Sequence, residues 1–217
     1  WRWAGAGEGC SSTERGGRLA RGAGVRGWGA VSTSASGSRA ASRPRAAGWG
    51  AASGHRPLIS PRRGTREAGQ PIALGEDAVL RLYDAVAAAG VIDFLEYEMD
   101  SAPARVREAR NIASAHGVQL ILSYHDFDAT PGLDELVERF EQAELQMADV
   151  AKIAVMPRVR DDVLNLLIAT ARADARLGIP VISMSMGAQG VATRMLGDAF
   201  GSAMTFAVGA TRPAPGQ

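Results

Sequence analysis

Lys152 is the only lysine in the chain, and it stands in Asp149-Val-Ala-Lys-Ile-Ala-Val-Met-Pro157, an apolar run that reads as a strand buried on both faces. Arginine stays protonated at any working pH, whereas a desolvated lysine can lose its proton and act as a nucleophile. Taken alone, the residue is read equally well as catalytic or as a strand-edge lysine that snorkels to solvent. His125, in Leu122-Ser-Tyr-His-Asp-Phe127, ends the strand before it. A lone histidine more often serves as a core residue bonded to a backbone carbonyl, but the neighbouring lysine strand outweighs that reading. Adjacent parallel strands would bring both side chains to one small molecule. There a histidine can move protons near neutral pH, while a lysine forms an imine with a ketone or aldehyde. The imine acidifies the neighbouring carbon, because the enamine left by proton loss spreads its charge onto nitrogen. His55 and His116 fall in a poorly patterned stretch and at a helix end, and are read as structural.

The elements that must position these groups follow from periodicity. Val79, Leu80, Tyr83 and Val86 share one face of a helix expected from Glu76 to Ala89, stopped by Gly90. Strands are expected at 57–60, 91–97, 118–124, 150–156, 181–185 and 203–208. Helices are expected between them at 103–115, at 131–147, from Asp161 (as cap) to Leu177, and at 190–200. Strict alternation of strand and helix is the mark of parallel βαβ units. No Gly-rich phosphate loop follows the first strand. Polar residues gather after several strands instead: Arg63 and Glu67, Glu98, His125, Lys152 and Ser185. That distribution suits a (βα)8 barrel, whose chemistry is assembled from the carboxyl ends of many strands, more than a doubly wound open sheet. About six of the eight βα units are expected.

Composition divides the chain near Gly54. Up to Arg56 there are nine arginines against only Glu8 and Glu14, among Gly, Ala and Ser with no helical or alternating period. Residues 1–54 are therefore expected to be a disordered or non-native arm, and 55–217 the catalytic domain. An Arg-rich arm could bind nucleic acid nonspecifically or act as a transit sequence, but the bland reading is preferred and nucleic acid is not the expected partner. The single Cys10 excludes an intrachain disulfide and a cysteine-based metal site, and fits a reducing cytoplasm. No apolar run approaches membrane-spanning length, so no membrane association is expected.

Several ordered motifs together resemble type I 3-dehydroquinate dehydratase. They are Ser123-Tyr-His-Asp-Phe127 with Thr130-Pro131, Ala151-Lys-Ile-Ala-Val-Met-Pro157, Ser183-Met-Ser-Met186, Gly190-Val-Ala-Thr-Arg194, Phe200-Gly-Ser202 and Ala214-Pro-Gly-Gln217. Upstream, Arg63-Gly-Thr-Arg-Glu-Ala-Gly69 and Ile92-Asp-Phe-Leu-Glu-Tyr-Glu98 are similar to that family's arginine-to-glutamate loop and its next strand. The resemblance runs from Arg56 to the end. It implies a (βα)8 TIM barrel that dehydrates 3-dehydroquinate to 3-dehydroshikimate in the shikimate pathway, a carbon–oxygen lyase that is often a homodimer. By resemblance, Lys152 would form the imine, and His125 would move the protons with Glu67 supporting it. Arg194 would pair the substrate carboxylate, Arg63 and Gln217 would hold carboxylate or ring hydroxyls, and Met184, Met186 and Phe206 would pack against the ring. No metal or organic cofactor is implied, because the lysine provides the electron sink.

The chain also departs from that pattern. The family's first two strands, with a Glu-Trp-Arg segment that holds substrate hydroxyls, have no counterpart before Gly54. Pro213 stands where a small hydroxyl residue is usual, and a closing helix is lacking. The expectation is a chain incomplete at both ends and poorly active. Its alternatives are another lysine-imine aldolase or lyase barrel, or a non-catalytic fragment with a basic arm.

Overall fold

The computed structural model describes residues 74–206, together with the backbone of a two-residue strand, β1 (Leu58–Ile59). The expected arm before Gly54 and the last residues, 207–217, lie outside the described residues. From Glu76 onward strand and helix alternate. The elements are α1 (Glu76–Ala88), β2 (Phe94–Glu98), α2 (Pro103–His116), β3 (Gln119–Asp126), α3 (Leu133–Leu145), β4 (Val150–Val155), α4 (Arg160–Arg176), β5 (Val181–Ser185) and α5 (Val191–Leu196). Short 3-10 turns at Ala188–Gly190 and Gly197–Phe200 flank α5, so the single helix expected over 190–200 is three pieces.

Local sequence sets these boundaries. Val79, Leu80, Tyr83 and Ala87 bury one stripe of α1, and Glu76 and Asp77 place negative charge at its amino end, where the helix dipole favours it. Pro103 opens α2 at a position that lacks a helical N–H partner anyway. Gly117 closes α2 at φ +67°, the left-handed conformation that a Cβ disfavours. The start of α4 is capped by Asp162, not Asp161. The Asp162 carboxylate accepts from the Arg158 N–H at 2.7 Å and the Val159 N–H at 3.1 Å, having the reach because it sits one position deeper in the first turn.

The sheet is wholly parallel, in the order β1-β2-β3-β4-β5. Each strand lies beside its predecessor with no reversal of direction, the winding of a (βα)8 barrel; a doubly wound sheet would switch sides partway. A sixth strand is begun but not developed. Val181 bridges Ser202, and the Ala203 N–H donates to the Val181 carbonyl at 2.8 Å, so the strand expected from Ala203 is a single bridge in the described residues.

Alternation along the strands gives two separate cores. Leu95, Leu120, Leu122, Ala151, Ile153 and Val155 point outward and pack under the helices with Leu136, Phe140 and Leu166. Burying a side chain such as Phe140 completely contributes roughly 1.5–3 kcal/mol. Ile121, Val150, Ala154, Ile182, Met184 and Met204 form the other core, on the inner face of the sheet, with Phe94 and Phe206 against it. Glu96, Ser123, His125 and Lys152 have the inner parity. Among the described residues these four buried polar side chains thus share the inner face with the apolar ones.

Candidate active site

The register explains why the polar side chains meet. Ser123 of β3 is level with Lys152 of β4, and Lys152 with Ile182 of β5, while Glu96 of β2 is level with Ile121. His125 lies two residues further along β3, on the same face and still inside the strand, which runs to Asp126 rather than ending at Tyr124. Lys152 Nζ donates to Glu96 Oε1 at 2.5 Å and lies 3.4 Å from His125 Nε2. His125 Nε2 is 3.6 Å from the same Glu96 oxygen. Glu96 is 2 % exposed and Lys152 and His125 are each 4 % exposed, so the snorkelling reading of the lysine fails. The Lys152 ammonium also faces the Phe206 ring, 4.7 Å from its centroid, and the His125 ring stacks near Phe127.

Burial by itself would raise the Glu96 carboxyl. The opposing charges of Lys152 and His125, with hydrogen bonds from Lys152 and Ser123, outweigh it and hold the group at about 2. Glu96 is therefore a carboxylate throughout the neutral range. Its backbone is fixed from the helix layer, where the Tyr83 hydroxyl of α1 donates to the Glu96 carbonyl at 2.5 Å. Burial raises the Tyr83 phenol well above its ordinary value, which keeps it a donor. Glu96 escaped the sequence reading, which weighed Glu98 because it closes the strand. Parity does not choose between them, since Glu96 and Glu98 share a face; the register does, because only the deeper one lies next to the lysine.

The remaining expected residues divide into three groups. Met184 belongs to the inner core, Met186 is buried one residue past β5 at the same parity, and Phe206 covers the lysine. Arg194 of α5 lines a cavity of about 200 Å³ with Thr193, Asp198, Ser202, Met204 and Thr205, and Met204 joins that cavity to the inner core. Burial lowers the Arg194 guanidinium below its ordinary value. Arg63, Glu67 and Gln217 lie outside the described residues. Ser185 has the opposite parity and is not at the inner face. It sits beneath α5, where its N–H donates to the Thr193 hydroxyl at 2.9 Å. No cluster of three or more His, Cys, Asp and Glu side chains able to hold a metal occurs among the described residues.

A buried amine, an imidazole within reach of it and a permanent carboxylate can do imine chemistry with proton transfer. Similarity to known proteins gives the family. The type I 3-dehydroquinase family model matches residues 49–217. The chain belongs to that family. A 3-dehydroquinate dehydratase of Albidiferax ferrireducens is 50% identical over 161 residues, which are 74% of this chain and 61% of that protein. A 3-dehydroquinate dehydratase of Geobacillus thermodenitrificans is 49% identical over 161 residues, with 74% of this chain and 62% of the relative covered. Among solved structures, the 3-dehydroquinate dehydratase of Geobacillus kaustophilus superimposes with a TM-score of 0.69 at 46% identity, covering 74% of this chain and 61% of its own. The type I enzyme of Clostridium difficile, solved with covalently modified comenic acid, gives 0.64 at 36% identity, covering 69% and 59%. The chain thus spans about three fifths of the length of the relatives it matches. As a member of that family it carries the barrel-type parallel sheet expected from its alternating elements and the polar residues placed after several strands.

Proposed function

We propose that this chain carries the imine-forming centre of a 3-dehydroquinate dehydratase, converting 3-dehydroquinate to 3-dehydroshikimate and water. One observation carries the reading: the only lysine is buried on the inner face of the sheet with its Nζ 3.4 Å from His125 Nε2. Lys152 attacks the substrate ketone and forms the imine, which serves as electron sink. His125 removes the proton from the adjacent carbon and returns it to the departing hydroxyl. Arg194 pairs the substrate carboxylate from its cavity, for which a planar two-donor fork is suited. Met184, Met186 and Phe206 form the apolar wall against the ring. Arg63, Glu67 and Gln217 complete substrate binding and support of the histidine, roles that rest on the family resemblance of their motifs. No helix among the described residues is long and apolar enough to cross a membrane, and the single cysteine is consistent with work in the cytoplasm.

Borohydride reduction in the presence of 3-dehydroquinate tests the reading. A stable adduct, located by mass spectrometry on the peptide that contains Lys152, is expected. Failure of 3-dehydroquinate to trap where another keto acid does would assign the site to a different imine-forming lyase.

A further inference from the structure

We propose that Glu96 is a shared counter-ion, which stays paired with the reaction's positive charge as that charge passes between the Lys152 nitrogen and the His125 ring. The inference deepens the imine reading and rests on it. One carboxylate oxygen, Oε1, lies 2.5 Å from Lys152 Nζ and 3.6 Å from His125 Nε2. The carboxylate is buried, and Tyr83 ties its backbone to α1, so it is held where both cationic positions are in reach.

The charge can be followed step by step. The Lys152 ammonium passes one proton to His125, and the neutral amine adds to the ketone carbon to give a carbinolamine. His125 returns the proton to the carbinolamine hydroxyl, which leaves as water, and the C=N bond forms with the positive charge on nitrogen. His125 then takes the proton from the adjacent carbon; the electron pair of that C–H bond neutralises the nitrogen, and the charge now rests on the imidazolium. When His125 protonates the leaving hydroxyl, the nitrogen lone pair expels it as water and the charge returns to nitrogen. Throughout, one positive charge occupies one of two positions, each within ion-pair distance of Glu96 Oε1. In an apolar interior neither cation would be tolerated without that partner. A carboxyl held at about 2 is too weak a base to carry these protons itself, so its part is electrostatic.

The test compares the full unaltered chain with its Glu96→Gln and Glu96→Asp variants. Each is reduced with borohydride in 3-dehydroquinate and, separately, in pyruvate, and the Lys152 adduct is quantified by mass. Glu96→Gln keeps shape and a hydrogen-bonding oxygen but removes the charge, so it is expected to trap at least about ten-fold less imine at neutral pH. Glu96→Asp retains the charge and is expected to recover most of the trapping, which separates charge from folding. Equal trapping by the Gln variant and the unaltered chain, or equal losses in the Gln and Asp variants, overturns the proposal. Glu96-dependent trapping of pyruvate with none of 3-dehydroquinate overturns the substrate assignment and leaves the counter-ion standing. No adduct with either ketone in the unaltered chain overturns both.

Discussion

Lys152 Nζ and His125 Nε2 lie 3.4 Å apart on neighbouring parallel strands, with both side chains buried on the inner face of the sheet. At that distance the two can exchange a proton during imine formation, yet each can be replaced by itself. His125→Ala is expected to lower turnover by about 10²–10⁴-fold, the usual worth of a positioned acid–base group. Its imine should still form slowly and then persist, so borohydride should trap a larger fraction of the chain than before. Lys152→Arg should give no adduct, because the guanidinium stays protonated. A His125→Ala chain that turns over normally would remove the histidine from the chemistry.

The same pair of strands bears on stability. Removing Lys152 strands the Glu96 carboxylate in the apolar core, and breaking one side of a buried pair costs about 3–5 kcal/mol. Lys152→Met is therefore expected to lower the unfolding free energy by that order. Lys152→Met combined with Glu96→Gln should recover much of the loss, since no buried charge is then left unpaired. Urea denaturation of the two single variants and the double variant measures the coupling; additive losses would mean that the ion pair contributes little.

How much of this centre could be read in advance depended on what each residue needed for its placement. Lys152 was legible because it stands inside an apolar strand, and His125 because it stands near the end of one, where a polar residue has no reason to be unless it faces a site. Glu96 was not, because two acids sit in one short strand and only the register shows which of them faces the lysine. Ser185 failed for a related reason. A polar residue at a strand end can point to either face, and its parity with Val181 and Ser183 turns it toward α5. Alternation gave the parallel units, and the polar residues placed after several strands favoured the barrel winding over the doubly wound one. The sixth strand was expected over 203–208; among the described residues its pairing with β5 is one bridge, because the Ser202 hydroxyl takes the Ser183 N–H that a regular ladder would use.

Acid should loosen the fold through Glu96. Its folded value of about 2 lies below the ordinary 4.5, so the carboxylate contributes stability above pH 4.5. That contribution is lost as pH falls through the window between those two values. A shift of this size corresponds to roughly 3 kcal/mol at full development. The melting midpoint of the unaltered chain is expected to fall across pH 4.5 to 2 more steeply than that of Glu96→Gln, which has no carboxyl to protonate there. Parallel curves for the two would show that other carboxylates govern the acid limb.

Arg194 owes its position to its neighbour. The Thr193 hydroxyl, 1 % exposed, accepts from the Ser185 N–H at 2.9 Å and donates to the Gly190 carbonyl at 2.7 Å, pinning the start of α5 to the end of β5. Gly190 packs so closely there that a Cβ would stand 2.0 Å from the Ser185 carbonyl oxygen, so the approach requires glycine. Thr193→Val keeps the volume but leaves the Ser185 N–H buried without its acceptor, at a cost of about 1–3 kcal/mol. Because Arg194 reaches its cavity from the next residue, the change should raise KM for 3-dehydroquinate more than it lowers kcat. The adduct at Lys152 should still form at saturating substrate. Thr193→Ser restores the hydroxyl and should return KM toward its original value, whereas a purely structural loss would lower the folded fraction and with it kcat alone. Equal KM in the Val variant and the unaltered chain would show that α5 places Arg194 without this hydrogen bond.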